Sequence, residues 1–300
     1  MVLVCGIPSE KPVALLVQRL KEQNIPHVIF NQRNFENIEF HFQISEGKIT
    51  GSLGLENKPY DLQKFTGIYN RLVNYSTIPE YAGKDEIIKI KCRVLHESLM
   101  QWFEVTNAKV LNKNSSMTSN MSKPFQINLI KKFGLSVPET LITNRPEEVV
   151  HFYRQKGTII YKSASGERSI VKTLKEEDLQ KLPKICWCPT QFQEYIAGDN
   201  VRVHVLGETV FASRITSAKT DYRYDQKASY TSFSLPEKIS KACIKLTRST
   251  GMHFSGIDFK YHPKEEKYYC FEMNPSPAYS HYETNCRQNI SAALAQYLGC

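Results

Sequence analysis

The sequence lacks the long apolar run that a membrane span requires, and no basic segment precedes an apolar stretch as in a signal peptide. Its eight cysteines do not repeat at the spacings of a disulfide framework, and Cys186-Trp-Cys188 has no second pair to complete a zinc site. We therefore expect reduced thiols in a cytoplasmic protein. No Gly-x-Gly-x-x-Gly follows the first apolar stretch, so the dinucleotide-binding fingerprint is absent.

Dense basic blocks and RNA-binding motifs are missing as well, although the formal net charge is +9. Lysines and arginines are interspersed with acids, which argues against a nucleic-acid surface. An acidic ligand explains the positive excess equally well. We therefore expect neither a nucleic-acid nor a membrane partner, and nucleic-acid binding remains a minor alternative.

The first part of the chain reads as an α/β domain. Apolar strands at 1–7 and 27–32 flank an amphipathic helix at 10–23, which predicts a β-α-β unit with parallel strands. Alternating residues at 38–44 and 49–55, joined by Glu46-Gly-Lys, predict a hairpin. We interpret residues 1–112 as one domain.

A long amphipathic helix is predicted over 85–106, with Ile87, Ile90, Val94 and Trp102 among its buried residues. The polar segment 112–120 has no periodicity and predicts a linker, so a domain boundary is placed near 112. Residues 113–188 and 189–300 then form central and C-terminal subdomains, which end in a helix predicted over 282–298.

Two aromatic-rich stretches near the C-terminus predict an antiparallel hairpin around a short charged turn. Glu272 and Asn274 are two residues apart and point to one face of their strand, and Asp258 can reach that face from the partner strand. Three oxygen donors of this kind suit Mg²⁺. The alternative is that the acids are solvated strand residues.

Gly-Ile-Asp258-Phe followed by Phe-Glu272-Met-Asn274-Pro-Ser-Pro resembles the metal-binding end of the ATP-grasp ligases. The resemblance implies an α/β (α+β) fold, with an ATP-grasp domain at 113–300 preceded by an N-terminal pre-ATP-grasp substrate domain. It also implies that Asp258, Glu272 and Asn274 hold two Mg²⁺ ions on ATP, for which Mn²⁺ can substitute.

Other stretches fit that resemblance in their order. Lys162 precedes a loop of small residues that resembles the ATP-grasp phosphate loop, and residues 193–199 resemble the hinge that reads adenine. Taken alone, each stretch is equally consistent with an ordinary hairpin connection. The ATP-binding residues that the resemblance implies are Lys123, Lys162, Ser163, Ser165, Gly166, Ser169, Gln193, Glu194, Tyr195, Ile196, Asp199 and Phe271.

Two strand arginines, Arg202 and Arg214, are predicted to face one side of a hairpin, where guanidinium groups suit a phosphate or an acyl phosphate. With Lys162 they are the predicted catalytic residues. A tyrosine-rich segment at 222–233 is interpreted as a loop that folds over the substrate.

Within the superfamily, the chain looks most similar to the ribosomal-protein glutamate ligases and the microviridin-type peptide ligases. Ser-Lys-Pro-Phe-Gln at 122–126 and Val-Pro-Glu-Thr-Leu-Ile-Thr-Asn at 137–144 carry this resemblance. Ile-Tyr-Asn-Arg71 resembles the Tyr-Arg-Arg strand of peptide-modifying members, but Asn70 and Leu72 depart from it and leave the role of Arg71 open.

The resemblance implies a ligase that activates a carboxylate with ATP and joins it to an amine or a hydroxyl group. The expected partner is a carboxylate-bearing peptide or protein. A homodimer is compatible with this reading. The alternative is a nucleotide-binding module that acts as a sensor or scaffold without turnover.

Overall fold

The computed structural model describes residues 1–163, 171–217, 225 and 227–300. The chain divides into two compact units. The first unit comprises Met1–Met117, Thr250–Phe254 and Pro275–Cys300, and the second comprises Thr118–Ser249 and Ser255–Asn274. Both units combine helices and sheets, which confirms the expected α/β class.

The first unit contains a parallel sheet and a three-stranded antiparallel sheet. Its strands are β1 (Val2–Gly6), β2 (His27–Asn31), β3 (Glu39–Ser45), β4 (Lys48–Leu55), β5 (Lys58–Asp61), β6 (Gly67–Asn70) and β7 (Lys109–Leu111). The parallel sheet has the order β2-β1-β6-β7, and the antiparallel sheet has the order β3-β4-β5. The predicted β-α-β start and the hairpin are therefore confirmed, and β5 is an additional strand.

Four helices of this unit precede residue 118: α1 (Lys11–Glu22), α2 (Pro79–Ala82), α3 (Glu86–Val105) and α4 (Asn114–Met117). Asp85 caps α3 by accepting a hydrogen bond from the Ile88 backbone N–H. Residues 112–120, predicted as a linker, contain α4 and the start of a 3-10 turn, and Asn112, Ser116 and Ser119 are buried.

The predicted core face of α3 was wrong. Ile87, Ile90 and Val94 are exposed, and only Trp102 of the four predicted residues is buried. The helix buries a different stripe, whose members are Cys92, Leu95, Leu99, Trp102 and Phe103. The sequence offers two apolar stripes at helical spacing, and the one with two aromatic rings removes more apolar surface from water.

Asn112 follows β7 and is 2% exposed. Its Nδ2 donates to the backbone oxygens of Phe254 and Pro275, both at 2.6 Å. Its Oδ1 accepts from the backbone N–H groups of His253 and Phe254, at 2.9 and 3.2 Å. One side chain therefore satisfies four backbone groups in two segments that are distant in sequence.

Replacing Asn112 with alanine is expected to lower the free energy of unfolding by about 3 kcal/mol, because several buried backbone groups lose their partners together. A urea titration of the purified variant measures this. The control is Asn114→Ala, since Asn114 is exposed two residues along the chain and its loss is expected to cost less than about 0.5 kcal/mol. Equal stability of the two variants would contradict the role assigned to Asn112.

The second unit is built on two sheets. Its strands are β8 (Thr140–Thr143), β9 (Ile159–Ser163), β10 (Lys172–Thr173), β11 (Thr190–Glu194), β12 (Asp199–Leu206), β13 (Thr209–Thr216), β14 (Ser229–Phe233), β15 (Phe254–His262) and β16 (Lys267–Asn274). The smaller sheet has the order β10-β9-β11-β8, and the larger has the order β14-β13-β12-β15-β16. Its α-helices among the described residues are α5 (Lys123–Lys132), α6 (Pro146–Lys156) and α7 (Glu237–Ser249), and a 3-10 helix spans Glu176–Trp187.

The chain returns to the first unit through α8 (Ser280–Cys286) and α9 (Ile290–Gly299), where one continuous helix was predicted. The helix is interrupted because Arg287 adopts a left-handed conformation with φ of 51°. The buried Glu283 carboxylate then accepts hydrogen bonds from the backbone N–H and the hydroxyl of Ser291. A negative charge in the first turn of α9 stabilises that helix end.

Arg71 lies just after β6 and is engaged within the first unit. Its guanidinium bonds Glu10 at 2.5 Å, and it donates to both oxygens of Ser276 and to the Pro277 backbone oxygen. These contacts hold the segment that follows Asn274. The described contacts of Arg71 therefore give it a structural role.

Candidate functional site

The hairpin of β15 and β16 brings three oxygen-bearing side chains together. Asp258 pairs directly with Glu272, and Gly256 pairs with Asn274. The Asn274 amide reaches both acids, since its Nδ2 lies 3.0 Å from Asp258 Oδ2 and 3.3 Å from Glu272 Oε1. The predicted convergence of these three side chains is present in the structure.

Asp258 also bonds a buried arginine. Arg202 on β12 donates from Nη1 to Asp258 Oδ1 at 2.7 Å, and Arg202 is 7% exposed. Burial raises the pKa of the Asp258 carboxyl, and the Glu272 charge adds to the rise, whereas the Arg202 guanidinium opposes it. The ionised form of Asp258, next to Glu272, is therefore stabilised by the positive charge of Arg202.

The donor set fits a hard divalent cation. Two carboxylates lie within hydrogen-bond reach of one amide, and turning that amide over presents its oxygen in place of its nitrogen. Lys123, which begins α5, lies close enough to Glu272 for that charge to raise its pKa, although burial, the larger effect, lowers it. A cation held by these residues would neutralise phosphate charge next to Lys123.

The prediction that Arg202 and Arg214 share one side of their hairpin was wrong. In the register of β12 and β13, Arg202 pairs with Ser213 and Arg214 pairs with Val201, so the two arginines point to opposite faces. Arg214 instead lies over the rings of Phe233 and Tyr261, with its Cζ 5.1 and 5.3 Å from their centres. Only Arg202 faces Asp258.

A buried histidine, which no sequence motif predicted, supports Arg202. His204 is completely buried two residues along β12, and the Arg202 Nε–H donates to its Nε2 at 3.4 Å. Burial, reinforced by the Arg202 charge, lowers the pKa of His204 well below its usual value. A neutral imidazole can accept a hydrogen bond from the guanidinium, so His204 orients Arg202 towards Asp258.

Residues 193–196 include the end of β11 and the two residues that follow it, and they bond neighbouring segments. Gln193 Nε2 donates to Thr140 Oγ1 at 2.9 Å, and Glu194 Oε2 accepts from the Glu139 backbone N–H at 3.1 Å. The Tyr195 backbone N–H donates to the Thr158 oxygen, and Ile196 is 4% exposed. The segment predicted as a hinge is therefore hydrogen-bonded to β8 and β9 or to the residues that precede them, and one Glu194 oxygen is already engaged.

Residues 198–199 lie against β15. A Cβ on Gly198 would sit 2.0 Å from the Tyr261 backbone oxygen, so only glycine fits there. Lys260, which the sequence analysis did not single out, donates from Nζ to the Gly198 oxygen at 3.3 Å and lies over the Tyr195 ring. Asp199 accepts from Thr216 Oγ1 at 3.1 Å. Lys260 thus fastens the hinge to the strand that carries Asp258.

The predicted phosphate loop lies mostly outside the described residues. Lys162 is on β9 opposite Gln191 of β11, and Ser163 is the last residue of β9. Ser165, Gly166 and Ser169 are outside the described residues.

Two further predicted features belong to the larger sheet. Phe271 is the extra residue of a β-bulge in β16, next to Glu272. Of the predicted 222–233 loop, residues 222–224 and 226 are outside the described part, and Ser229–Phe233 forms β14 rather than a loop.

Comparison with known proteins agrees with this architecture. Residues 118–298 match the family described as the RimK-like ATP-grasp domain. A probable alpha-L-glutamate ligase from Chromohalobacter salexigens is 24% identical over 215 residues, which are 67% of this chain and 70% of the relative.

Two solved structures share the fold over nearly the whole chain. The macrocyclase MdnC from Microcystis aeruginosa MRC, bound with precursor peptide MdnA, has a TM-score of 0.82 at 22% identity and covers 99% of both chains. The ATP-grasp ligase PsnB, complexed with a variant of its minimal precursor, Mg and ADP, has a TM-score of 0.79 at 23% identity. The alignment with PsnB covers 99% of this chain and 97% of PsnB.

The expected ATP-grasp fold and the expected branch of the superfamily are confirmed, and with them ATP-dependent ligation at the level of the family. Among the described residues, no helix is both long enough and apolar enough to cross a membrane. The match to residues 118–298 spans more than half of the sequence. The chain therefore belongs to the RimK-like ATP-grasp family.

Proposed function

We propose that the protein activates a carboxylate of a peptide or protein with ATP and joins it to an amine or a hydroxyl group. The observation that carries the proposal is the convergence of Asp258, Glu272 and Asn274 beside Arg202. The peptide substrate is inferred from MdnC and PsnB, which were solved with precursor peptides. Residues 1–112 are proposed to form the substrate domain.

The cofactors of the proposed reaction are ATP and two Mg²⁺ ions, with Mn²⁺ as a substitute. Asp258, Glu272 and Asn274 would hold the metal, which supplies charge neutralisation at the phosphates. Lys123 and Lys162 place positive charge beside the nucleotide. Residues 193–199 bind its adenine and ribose. Ser163, Ser165, Gly166 and Ser169 are proposed to cover the phosphates, and Phe271 to line the nucleotide site.

In the proposed reaction, a substrate carboxylate oxygen attacks the γ-phosphorus of ATP, which gives an acyl phosphate and releases ADP. The amine or hydroxyl then attacks the acyl carbon, loses its proton and expels inorganic phosphate. Arg202 faces Asp258 and is suited to stabilise developing negative charge, with His204 fixing its orientation. Arg214 faces the other side of the sheet, so we do not retain it among the catalytic residues.

The surroundings of the reaction are also part of the proposal. All eight cysteines lie in the described part of the chain and are free thiols, which supports a reducing, cytoplasmic location. A homodimer remains a prediction, and sedimentation of the purified protein measures it.

ADP release in the presence of MgATP tests the proposed function. The panel consists of free amino acids, dipeptides and acidic peptides, and the Glu272→Ala variant serves as the blank. Release that depends on one carboxylate donor supports a ligase and begins to identify the substrate. ATP binding without ADP release across the panel would favour a nucleotide-binding module without turnover.

A further inference from the structure

The smaller sheet of the second unit has one apolar face, and its other face, here called the polar face, carries polar side chains together with Ile142 and Ile160. Phe192, Tyr161 and Ile159 belong to a core cluster that also includes residues of α6. Lys162 and Gln191 pair directly across β9 and β11, so their side chains share the opposite face. Gln193 lies two residues further along β11 and therefore points to that face as well.

Two side-chain amides on this polar face are buried without complete hydrogen bonding. Gln191 is 1% exposed and Gln193 is 2% exposed. Neither Oε1 atom has a hydrogen-bond partner among the described residues, although Gln193 donates from Nε2 to Thr140. Buried amide oxygens in native proteins are nearly always satisfied, so two of them on one face require a donor from elsewhere.

The position of the pair points to a donor on the nucleotide. Gln193 directly precedes the hinge residues 194–196, and Gln191 lies opposite Lys162, so the pair stands between the proposed adenine and phosphate contacts. An adenine nucleotide carries one N–H-bearing group on its base, the exocyclic amino group. Its two protons can reach two acceptor oxygens about 5 Å apart. Gln191 and Gln193 begin about 7 Å apart along the strand, and their side chains are long enough to bring their oxygens to that separation.

We propose that Gln191 is a base-contacting residue whose carbonyl oxygen, together with that of Gln193, accepts the amino protons of adenine. The proposal rests on the proposed function, because it needs ATP in this site. It adds a residue that reads the base and selects ATP against nucleotides that carry a carbonyl in place of the amino group.

This role predicts opposite effects on the free and the bound protein. Gln191→Met removes an oxygen that is unsatisfied in the free protein, so its melting temperature should stay the same or rise. The same change removes a partner of the bound base, so ATP should bind about tenfold more weakly. A glutamine with a purely structural role would lower the melting temperature when replaced.

The experiment measures dissociation constants of ATP and inosine triphosphate by calorimetry in Mg²⁺ buffer, for the wild type, Gln191→Met and Gln180→Met. Gln180 is exposed in the same unit and provides the matched control. We expect Gln191→Met to weaken ATP binding about tenfold, to leave inosine triphosphate binding within about twofold, and so to reduce the preference for ATP several-fold. Gln180→Met should bind both nucleotides as the wild type does.

Two results would overturn the inference while leaving the proposed function intact. Unchanged ATP binding by Gln191→Met would mean that a water molecule satisfies the amide. Equal weakening of both nucleotides would mean that the amide contacts another part of the nucleotide. If the wild type binds neither nucleotide, the proposed function fails and the base contact fails with it.

Discussion

Replacing Glu272 with alanine is expected to reduce substrate-dependent ADP release by at least about 10³-fold, because the variant loses one of the two carboxylates proposed to hold the metal. A metal that stabilises transferring phosphate contributes several kcal/mol, and each 1.4 kcal/mol changes a rate about tenfold. The fold should survive, since Glu272 is only half-buried. Without Mg²⁺ the variant should be at least as stable as the wild type, because Asp258 loses a neighbouring negative charge.

The matched control for this variant is Glu266→Gln, which removes an exposed charge from the turn of the same hairpin. Steady-state ADP release and thermal melting, with and without Mg²⁺, are measured on both variants. Glu266→Gln should keep wild-type turnover. Full turnover by Glu272→Ala would exclude Glu272 as a metal ligand and with it the proposed mechanism.

Replacing Arg202 with methionine is expected to lower the free energy of unfolding by about 3 kcal/mol in Mg²⁺-free buffer. Arg202 is buried and bonds Asp258 at 2.7 Å, so its removal leaves a carboxylate without its compensating charge. The loss should also raise the pKa of Asp258, since Arg202 lowers it in the wild type. Mg²⁺ should restore part of the stability, because a cation bound only by the folded state stabilises it by mass action.

Urea unfolding across a Mg²⁺ series measures this effect, with Arg214→Met as the control. Arg214 is on the neighbouring strand but on the other face, where it lies over two aromatic rings. Its replacement should cost stability that Mg²⁺ does not restore. If Mg²⁺ stabilises both variants by no more than the wild type, Arg202 and the proposed metal do not share Asp258.

The convergence of Asp258, Glu272 and Asn274 was predictable because strand side chains alternate with a fixed period of two. Glu272 and Asn274 share a face in any register, and the partner strand had only one acid in reach. The opposite faces of Arg202 and Arg214 could also have been predicted from the sequence. Leu206 and Thr209 pair around a two-residue turn, and counting back from them places Arg202 opposite Ser213 rather than Arg214.

Other features depend on tertiary packing, which local sequence patterns do not predict. The alternation of Gln191 and Gln193 with Phe192 marked a strand with one polar face, but burial of that face appears only once the sheet is assembled. Lys260 donates to the backbone of Gly198, which is distant in sequence. His204 lies only two residues from its partner Arg202, but its complete burial appears only once the sheet is packed. The core face of α3 was ambiguous because two apolar stripes met the same helical spacing.

The two tryptophans of the chain are divided between the two compact units. Trp102 is 1% exposed in the first unit, whereas Trp187 is 89% exposed in the second. A Trp187→Phe variant therefore carries a single buried fluorophore, whose emission should shift to the red only when the first unit unfolds. A Trp102→Phe variant keeps one solvated fluorophore, which is suited to sense quenchers or peptides that approach the second unit. The intrinsic fluorescence of the protein can thus report on each unit separately.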